Sequence, residues 1–591
     1  MDQQLKSSLP LSGIHIEGYD AESVNDKQRV MQGPLPDTMD FTSWTQRNPN
    51  WRRRAALLIA ILSVVVIGFL THKPALGFFF TGTDTFTLID TARVTSARHL
   101  IEILCSPLMA GSDFVSQGLF YRPVSTLSYS LDYFFWGLNP FGYHLTNLIL
   151  HVLVTALVAL LVVSLTDGDL VKGWASALIF SLHPILIESV PATDHRHDLL
   201  AGFFLVSAFL LFVRGRGGAA FDRIRFGLSV LCYGLALGSK EISVMLPCLT
   251  FAYLLIFPDR GCQGLRIESA ARGSAVYLGV TLVYMVWRTI VLGGLGGYPT
   301  ESADSTFFQG SAHIVLMYLR DLLYPQDFLT FFDTVSGPWL MVLPAFLGVV
   351  SAWSFLQSRG TDRESQKKLV LFFLIWLCLP IAVMVFTLTF SHRSMYTAVI
   401  PFGGFLGCTL VNGLRHHASL PKGILGNRTA TEVLVSVNAR ALGFSGVVLN
   451  IALVVSLLAY SPLIKNYSEW EASSQIASSL FAKLAAAIPA LPKGALVQVH
   501  NLPAGIQSYE NEIPRAREVG YLSGYGLKSW INLNYPGNQI RVIIDSRQSL
   551  SRIPDDIGLL VEVMDRGSTS LSILFVHETP AMRPIVVRGG T

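Results

Sequence analysis

The chain has 591 residues, of which 51% are hydrophobic and only 14% are charged, and its mean hydropathy is +0.47. A soluble domain typically carries about a quarter charged residues. The deficit extends along most of the chain, which excludes an ordinary soluble protein and predicts a polytopic membrane protein. The net charge of +4 indicates little by itself, and no nucleic-acid partner is expected.

The six cysteines are scattered along the chain, and none of them forms a CxxC pair. Most lie in apolar runs, where a cysteine behaves as a small packing residue. We therefore predict no disulfide framework and no zinc site.

The first 50 residues are polar and show little periodicity, which predicts a disordered tail. Three arginines at 52–54 then precede an apolar run at 55–70. The long tail and the lack of a small-x-small cleavage site favour an uncleaved anchor over a signal peptide. Because basic residues stay on the cytoplasmic side, the N-terminus is predicted to be cytoplasmic.

Hydropathy predicts ten further spans, for about eleven transmembrane helices in all, although several are short for a helix that needs about 20 apolar residues. They lie near 145–165, 173–189, 199–213, 226–239, 243–257, 274–292, 338–356, 369–390, 395–412 and 442–460.

The distribution of basic residues supports this number of spans. Eleven spans place every basic loop in the cytoplasm, as the positive-inside rule requires. These loops are 214–225, 260–272, 359–368 and 415–440. The apolar segment 311–324 contains Arg320 and Asp321, and counting it as a span would reverse every later loop. It is predicted to be an amphipathic helix on the outer surface.

The character of the chain changes after residue 460. A helix with Trp470 is predicted at 465–488, followed by short β-rich runs separated by Gly, Pro and Asn. We predict three parts: a cytoplasmic tail at 1–50, a membrane domain at 51–464 with a large first outer loop at 72–144, and a small soluble α/β domain at 465–591. No repeat of 20–50 residues is present, so a solenoid array is not expected.

Ionisable and polar residues near the spans gather at their outer ends, where they are functional candidates. With eleven spans, five clusters fall on this one side of the membrane. They comprise Asp84; Arg122, His144, Asn147 and His151; His183, Glu188, Asp194, His195, Arg196, His197 and Asp198; Lys240 and Glu241; and His392, Arg393 and Tyr396.

Acids and cations at a membrane surface suit a lipid-linked phosphate donor, whose tail lies in the bilayer and whose head lies at the interface. Arginine and lysine would neutralise the phosphate. A carboxylate would take the proton from an acceptor hydroxyl as it attacks the sugar carbon.

Four stretches resemble motifs of GT-C-fold glycosyltransferases of the transmembrane-and-TPR O-mannosyltransferase type and their bacterial relatives. They are FYRPVSTLS at 120–128, GLNPFGYHLTNLILH at 137–151, ALIFSLHPILIESV at 177–190 and LALGSKE at 235–241. The order and spacing match through about residues 78–250. From 250 to 460 the likeness is mostly hydropathic.

This resemblance implies an inverting transferase that uses a polyprenyl-phosphate sugar and has its base in the first outer loop, a role that maps to Asp84. The family often has paired acids there, whereas this chain has Thr83-Asp84. The donor phosphate is assigned to Arg122, Arg196, Lys240 and Arg393. Supporting roles are assigned to His144, Asn147, His183, Glu188, Asp194, Glu241 and Tyr396.

Several residues also have structural alternatives. Asp84 could cap a helix. His144, Asn147 and His151 share a helix face, which is also typical of polar helix–helix contacts. A short loop with His195 and His197 could hold a divalent ion, but no metal is assigned. Lys240 with Glu241 could be a plain ion pair, and Arg393 could anchor the loop to head groups.

The predicted protein is a multi-pass enzyme of the bacterial inner membrane that transfers a sugar to a protein, glycan or lipid hydroxyl on the periplasmic side. The C-terminal domain, also periplasmic, would bind the acceptor or protein partners. One alternative is a non-catalytic GT-C-like scaffold. A transporter is the other, but no inverted repeat and no midplane charges are found in the sequence.

Overall fold

The structure is a computed structural model of the chain. It describes residues 49–116, 118–216, 222–258, 266–297, 307–323, 363–387, 392–418, 448, 450–459, 461–463, 468–487, 496–503, 505–510, 513–520, 523–536, 541–547, 557–564, 570–578 and 581–589. The predicted tail up to residue 48 and the predicted span at 338–356 lie outside these residues. The chain forms two compact units, Met1–Leu58 and Ile59–Thr591. Of the first unit the structure describes only residues 49–58, at the start of the first helix, and everything else described below belongs to the second.

Helices form most of the described chain. In order they are α1 Pro49–His72, α2 Thr85–Ala92, α3 Ala97–Cys105, α4 Pro123–Trp136, α5 Pro140–Leu165, α6 Leu170–Ser181, α7 Arg196–Arg216, α8 Arg223–Leu237, α9 Leu246–Ile256, α10 Arg266–Leu292, α11 Phe307–Leu323, α12 Arg363–Thr387, α13 Tyr396–Ala418, α14 Asn450–Ala459, α15 Ser468–Ala487 and α16 Gly524–Asn534. Short 3-10 turns at Lys73–Gly77, Pro184–Glu188, Thr193–His195, Glu241–Met245 and His392–Met395 join several of them.

Six helical segments in the described part of the chain are long and apolar enough to cross a membrane, which makes the protein an integral membrane protein. They are Trp51–Gly77, Pro140–Leu165, Thr193–Arg216, Ile267–Leu292, Glu364–Thr387 and His392–Arg415. The number eleven is not confirmed, because several predicted spans correspond to shorter helices. The predicted span at 173–189, for instance, ends as α6 at Ser181, because Pro184 cannot continue the helix.

The segment predicted as an amphipathic helix at 311–324 is helical, as α11. Its last turn packs against the 3-10 turn His392–Met395. Asp321 is buried there, and its carboxylate pairs with His392. This contact brings the end of α11 to the same end of the helices as Arg393.

The membrane helices share one large apolar core, and close packing between α6 and α13 shapes it. A Cβ at Gly407 would lie 2.6 Å from the backbone nitrogen of Ser176, so only glycine allows this approach. Small residues at such crossings let helices pack backbone to backbone. The approach also places the turn before α13 next to the turn after α6, where the polar clusters lie.

The chain after residue 495 contains seven strands in its described part. They are β1 Leu496–Pro503, β2 Gly505–Glu510, β3 Ile513–Gly520, β4 Arg541–Arg547, β5 Ile557–Met564, β6 Ser570–Glu578 and β7 Ala581–Gly589. Five form a sheet in the order β4-β1-β5-β6-β7, in which only β1 and β4 pair in parallel, and β2 pairs with β3.

A second apolar core joins α15 and α16 to the segment 72–144, which contains α2. Phe481 lies 4.8 Å from Phe86 and 4.9 Å from Trp530, measured between ring centroids. These two C-terminal helices therefore share a core with α2. A separate α/β domain over 465–591 remains a prediction.

Candidate active site around Asp84

Asp84 lies in a tight loop, residues 81–85, that leads into α2. The Thr81 carbonyl accepts hydrogen bonds from the backbone N–H of Thr193 at 3.2 Å and from its hydroxyl at 2.5 Å. These bonds join the loop to the turn Thr193–His195. Asp84 is half-buried, and its side chain makes no capping hydrogen bond to α2. The helix-cap alternative therefore does not account for this acid.

A second acid stands beside Asp84, although the local sequence contains only one. The backbone N–H of Asp84 donates to Oδ2 of Asp194 at 3.2 Å, across 110 residues of sequence. Gly82 makes room for this approach, because a Cβ there would lie 2.0 Å from Asp194 Oδ1. Its φ of +98° is also a conformation that favours glycine. The structure thus forms a pair of acids from two separate loops.

Two hydroxyl groups hold the Asp84 carboxylate. The phenol of Tyr525 donates to Oδ1 at 2.5 Å, and the hydroxyl of Thr83 donates to the same oxygen at 3.0 Å. Burial, and then the negative charge of Asp194, raise the pKa of Asp84, while Tyr525, the charge of Arg393 and Thr83 partly offset this rise. A raised pKa suits a carboxylate that must take up a proton near neutral pH.

Sequence analysis missed Tyr525, which lies 441 residues beyond Asp84 in the chain. The only local signal is a serine before a Gly-Tyr-Gly step at the start of a helix. This pattern marks a helix cap, since Ser523 accepts a hydrogen bond from the Gly526 N–H at 3.0 Å. A capping pattern carries no information about the loop that the helix contacts.

His195 connects the acids with the nearest arginine. Its Nε2 lies 3.4 Å from Asp194 Oδ1 and accepts a hydrogen bond from Nη1 of Arg393 at 3.0 Å. Its Nδ1 then carries the proton and donates to the Glu188 carbonyl at 2.5 Å. These contacts connect Asp194, which lies beside the loop 81–85 (the acid loop), with the turn His392–Met395 before α13. The Glu188 carbonyl thus helps to fix the orientation of the His195 ring.

Lys240 is the buried lysine of this region, and two groups hold its ammonium. It pairs with Asp198 and donates to the hydroxyl of Ser394 at 2.9 Å. Burial lowers the pKa of Lys240 to about 8; the charge of Asp198 opposes this effect, and Arg122 and Arg393 add to it. Lys240 is therefore mostly charged at neutral pH and loses its proton in mildly alkaline solution.

Arg122 is paired with Glu241 through two parallel hydrogen bonds. Its Nη2 lies 2.8 Å from Oε2, and its Nε lies 3.2 Å from Oε1. The guanidinium also lies over the Phe120 ring, 4.6 Å from its centroid. Glu241 thus fixes the orientation of the Arg122 guanidinium. The remaining terminal nitrogen, Nη1, does not take part in this pair.

The guanidinium of Arg196 is buried and is occupied by contacts within the protein. It has no exposed surface. Its Nε donates to Asn147 at 2.9 Å, its two terminal nitrogens donate to the carbonyls of Ser128 and Tyr143, and it pairs with Asp132. Each of the three guanidinium nitrogens thereby contacts an acceptor inside the protein. This geometry contradicts the phosphate contact predicted for Arg196, which instead ties α7 to α4 and α5.

Most of the polar side chains that were predicted to support the site contact backbone carbonyl groups. His144 contacts the Phe79 carbonyl at 3.0 Å, and Asn147 donates to the Ala192 carbonyl at 2.9 Å. His183 contacts the Leu322 carbonyl at 3.1 Å. Tyr396 is buried, and its hydroxyl lies 3.2 Å from Nδ1 of His151. The helix-face pattern on α5 thus marks side chains that position the acid loop and the turn after α6.

Within the residues that the structure describes, no group of three His, Cys, Asp or Glu side chains could hold a metal ion. In the segment considered for a divalent ion, Nε2 of His197 lies 3.1 Å from its neighbour Asp198, which also pairs with Lys240.

These features define an integral membrane protein with paired carboxylates and two nearby cations at one end of its helices. Comparison with known proteins confirms the resemblance found in the motifs. The chain is similar to protein O-mannosyl-transferase TMTC2 of Mus musculus, with 28% identity over 251 residues, which are 40% of this chain and 30% of that protein. It is also similar to TMTC1 of Mus musculus, with 30% identity over 29% of this chain and 18% of the relative.

Human TMTC3 is 36% identical over 97 residues, 16% of this chain and 10% of the relative. The chain thus spans less than a third of the length of these relatives. No protein-family model matches it.

Two solved structures are similar to this chain at low identity. ArnT from Cupriavidus metallidurans bound to undecaprenyl phosphate has 12% identity and a TM-score of 0.41 over 82% of this chain and 89% of that one. The Archaeoglobus fulgidus oligosaccharyltransferase in the apo form has 12% identity and a TM-score of 0.41 over 84% of this chain and 65% of that one.

Proposed function

We propose that this chain is a membrane glycosyltransferase of the GT-C type. It moves a sugar from a polyprenyl-phosphate carrier to an acceptor hydroxyl, with inversion at the sugar carbon. The observation that carries this proposal is the half-buried Asp84 carboxylate, which has Asp194 beside it and is linked through His195 to Arg393. The site thus has an acid with a raised pKa next to groups that can bind a phosphate.

In the proposed reaction, the acceptor hydroxyl donates its hydrogen bond to the Asp84 carboxylate. As the acceptor oxygen attacks the sugar carbon, the proton passes to Asp84, and the bond between that carbon and the phosphate oxygen breaks. The carrier leaves as a polyprenyl phosphate, whose new negative charge is neutralised by cations. A single displacement of this kind inverts the configuration at the sugar carbon.

Arg393 and Lys240 are the proposed partners of the donor phosphate, and Arg122 is a third. Arg393 is half-exposed and lies one residue from Ser394, which holds Lys240. A phosphate arriving between these side chains would meet two positive charges in a poorly hydrated setting, where charge–charge attraction is strong. Arg196 is left out of this set because its donors are used within the protein.

The relatives are named as protein O-mannosyl-transferases, so we propose mannose as the sugar and protein hydroxyls as acceptors. We further propose about eleven crossings of a bacterial inner membrane, with the acid site and the C-terminal α/β segment on the periplasmic side. The positive-inside distribution of arginine and lysine supports this orientation.

The direct test replaces the base while preserving the shape of the side chain. Asp84→Asn removes the proton acceptor, so transfer from mannosyl-phosphoryl-undecaprenol in reconstituted liposomes should fall by about 100-fold to 10,000-fold. Asp90→Asn is the matched control, because Asp90 lies on α2, the helix that directly follows Asp84, and contacts Arg93 and Asn532. It should retain transfer.

Two results would count against the proposal. Wild-type protein that transfers no sugar from lipid-linked mannose, glucose or galactose would favour a non-catalytic scaffold. Undiminished transfer by Asp84→Asn would remove this acid from the mechanism. Mass spectrometry of surface glycans and glycoproteins from cells with and without the chain would identify the transferred group.

A further inference from the structure

The segment that begins at Ser523 is fastened directly to the acid loop. The hydroxyl of Ser523 donates to the Thr83 carbonyl at 2.8 Å and accepts from the Gly526 N–H at 3.0 Å. One side chain therefore both starts α16 and holds this helix one residue away from the proposed base. The next residues of α16 cannot move far from Asp84 while this bond is made.

The rest of α16 is held by a buried apolar face and by polar contacts at its edges. Leu527, Trp530 and Ile531 are buried in the core shared with α2. Lys528 pairs with Asp113 of the first outer loop at 3.0 Å. The contacts extend along the length of α16, so the helix is docked on the loop as a unit.

Tyr525 points from this docked helix to the acid. Its ring packs against Phe114, with 5.7 Å between ring centroids, and its hydroxyl donates to Oδ1 of Asp84 at 2.5 Å. Phe114 belongs to the same outer loop as Asp84. The ring is thus fixed by the loop, and the hydroxyl is placed on one carboxylate oxygen.

We propose that Tyr525 is a positioning residue of the active site, which holds the Asp84 carboxylate in the orientation that receives the acceptor proton. This proposal rests on the proposed function for the identity of Asp84 as the base. It makes the segment Ser523–Asn534 part of the active site. General-base catalysis requires a carboxylate oxygen within hydrogen-bond distance of the acceptor hydroxyl. A carboxylate held in one orientation meets this condition more often than one that rotates freely.

The charges and hydrogen bonds around Asp84 determine in which direction its pKa shifts when the Tyr525 hydroxyl is removed. Asp194 disfavours the ionised form of Asp84, while Arg393 and the hydrogen bonds from Tyr525 and Thr83 favour it. His195 lies between Asp194 and Arg393. Removing the Tyr525 hydroxyl raises the pKa of Asp84 further. The base is active only when ionised, so the acidic limb of the rate profile must move to higher pH.

The test is Tyr525→Phe in the full-length protein, reconstituted with mannosyl-phosphoryl-undecaprenol. Phenylalanine keeps the ring packing against Phe114 and removes only the hydroxyl. We expect kcat/KM on the acidic limb to fall about tenfold, the effect of losing one hydrogen bond to a charged group. The limb should move to higher pH, and the donor KM should stay unchanged. Tyr133→Phe, at the edge of the same apolar core, is the matched control.

A second measurement does not depend on transfer. Dicyclohexylcarbodiimide modifies protonated carboxylic acids, and mass spectrometry of the peptide with Asp84 gives the fraction modified at each pH. Modification in Tyr525→Phe should persist to higher pH than in the wild type. If the modification profile of Tyr525→Phe is shifted but the wild-type protein transfers no sugar, the proposed function is overturned. The effect of the Tyr525 hydroxyl on Asp84 is then still confirmed. Normal transfer with unshifted rate and modification profiles would overturn the role of Tyr525.

Discussion

Arginine and lysine side chains at the same end of these helices have different tasks. Arg196 is fully buried and holds α4, α5 and α7 together. Lys240 is held by a carboxylate and a hydroxyl, and Arg393 donates to a neutral imidazole nitrogen. In the sequence, each of these three residues lies next to an apolar run, so their positions do not distinguish their tasks. Arg196 has no exposed surface and Arg393 is half-exposed, so exposure separates the structural arginine from the proposed phosphate partner.

The pKa of Lys240 leads to a pH prediction. Because this pKa is lowered to about 8, the ammonium is present below pH 8 and is lost as the pH rises through that value. Binding of the donor phosphate should weaken over the same range. Lys240→Arg keeps its charge in alkaline solution, so its donor KM should stay low above pH 8.

The donor KM measured from about pH 6 to about pH 9.5 tests this expectation. Lys172→Arg serves as the control, because Lys172 pairs with Asp169 at the other end of α6. It should show the wild-type rise of KM in alkaline solution. An equal rise in Lys240→Arg would mean that another group controls donor binding.

Sequence analysis could name candidate residues but not the contacts between them. Asp84 was predicted as the base and Asp194 as a supporting residue, and the structure brings them together. Tyr525 was not considered. The contacts of Asp84 with Asp194 and Tyr525 span 110 and 441 residues, and no local periodicity or cap signal encodes such a distance.

At the scale of elements, hydrogen bonds join two loops that are far apart in the sequence. The loop 81–85 and the turn Thr193–His195 are joined by backbone and hydroxyl hydrogen bonds, and Gly82 lies at their closest approach. The sequence predicts both loops at the same ends of their spans, but it does not predict their pairing. The pairing depends on how α5 and α6 place the two loops, which hydropathy does not describe.

This junction leads to a prediction about Gly82. In Gly82→Ala, the new Cβ would overlap the Asp194 carboxylate and strain the positive φ, so the two acids must separate. Transfer should fall on the order of 100-fold, since a displaced base loses its alignment. Gly77→Ala is the matched control, because a Cβ there meets nothing within 4 Å.

Transfer assays and thermal unfolding in detergent separate the effects of Gly82→Ala on catalysis and on stability. The helices should remain folded, because the change lies in a loop outside the main core. Normal transfer by Gly82→Ala would show that the close approach of the acids is not needed. A loss in Gly77→Ala would point instead to a general effect on this segment.

For the whole molecule, hydropathy predicted a membrane protein, and most of the strong apolar runs became helices. The ends of the helices were less predictable, because Pro184 breaks the apolar run at 173–189, which hydropathy treats as one continuous span. The shared core between α2 and the C-terminal helices was not predicted either, since it joins two segments that each look amphipathic alone.

The proposed orientation can be tested by single cysteines in a variant without the six native ones. Lys528 lies on α16 beside the first outer loop, and Asp222 caps α8 at the opposite end of α7 from the acid site. In intact spheroplasts, Lys528→Cys should react with a membrane-impermeant maleimide, whereas Asp222→Cys should react only after lysis. The reverse pattern would invert the proposed orientation.

The hydrogen bond between Ser523 and Thr83 also bears on how the protein is made. Its two ends are 440 residues apart, so a ribosome adding roughly 5–20 residues per second reaches Ser523 roughly 20–90 s after Thr83 has been synthesised. During that time the acid loop exists without the hydroxyl of Tyr525. A nascent chain therefore has the loops and the cations before it has a complete site. The proposed active site gains its Tyr525 contact only when α16 docks on the loop of Asp84.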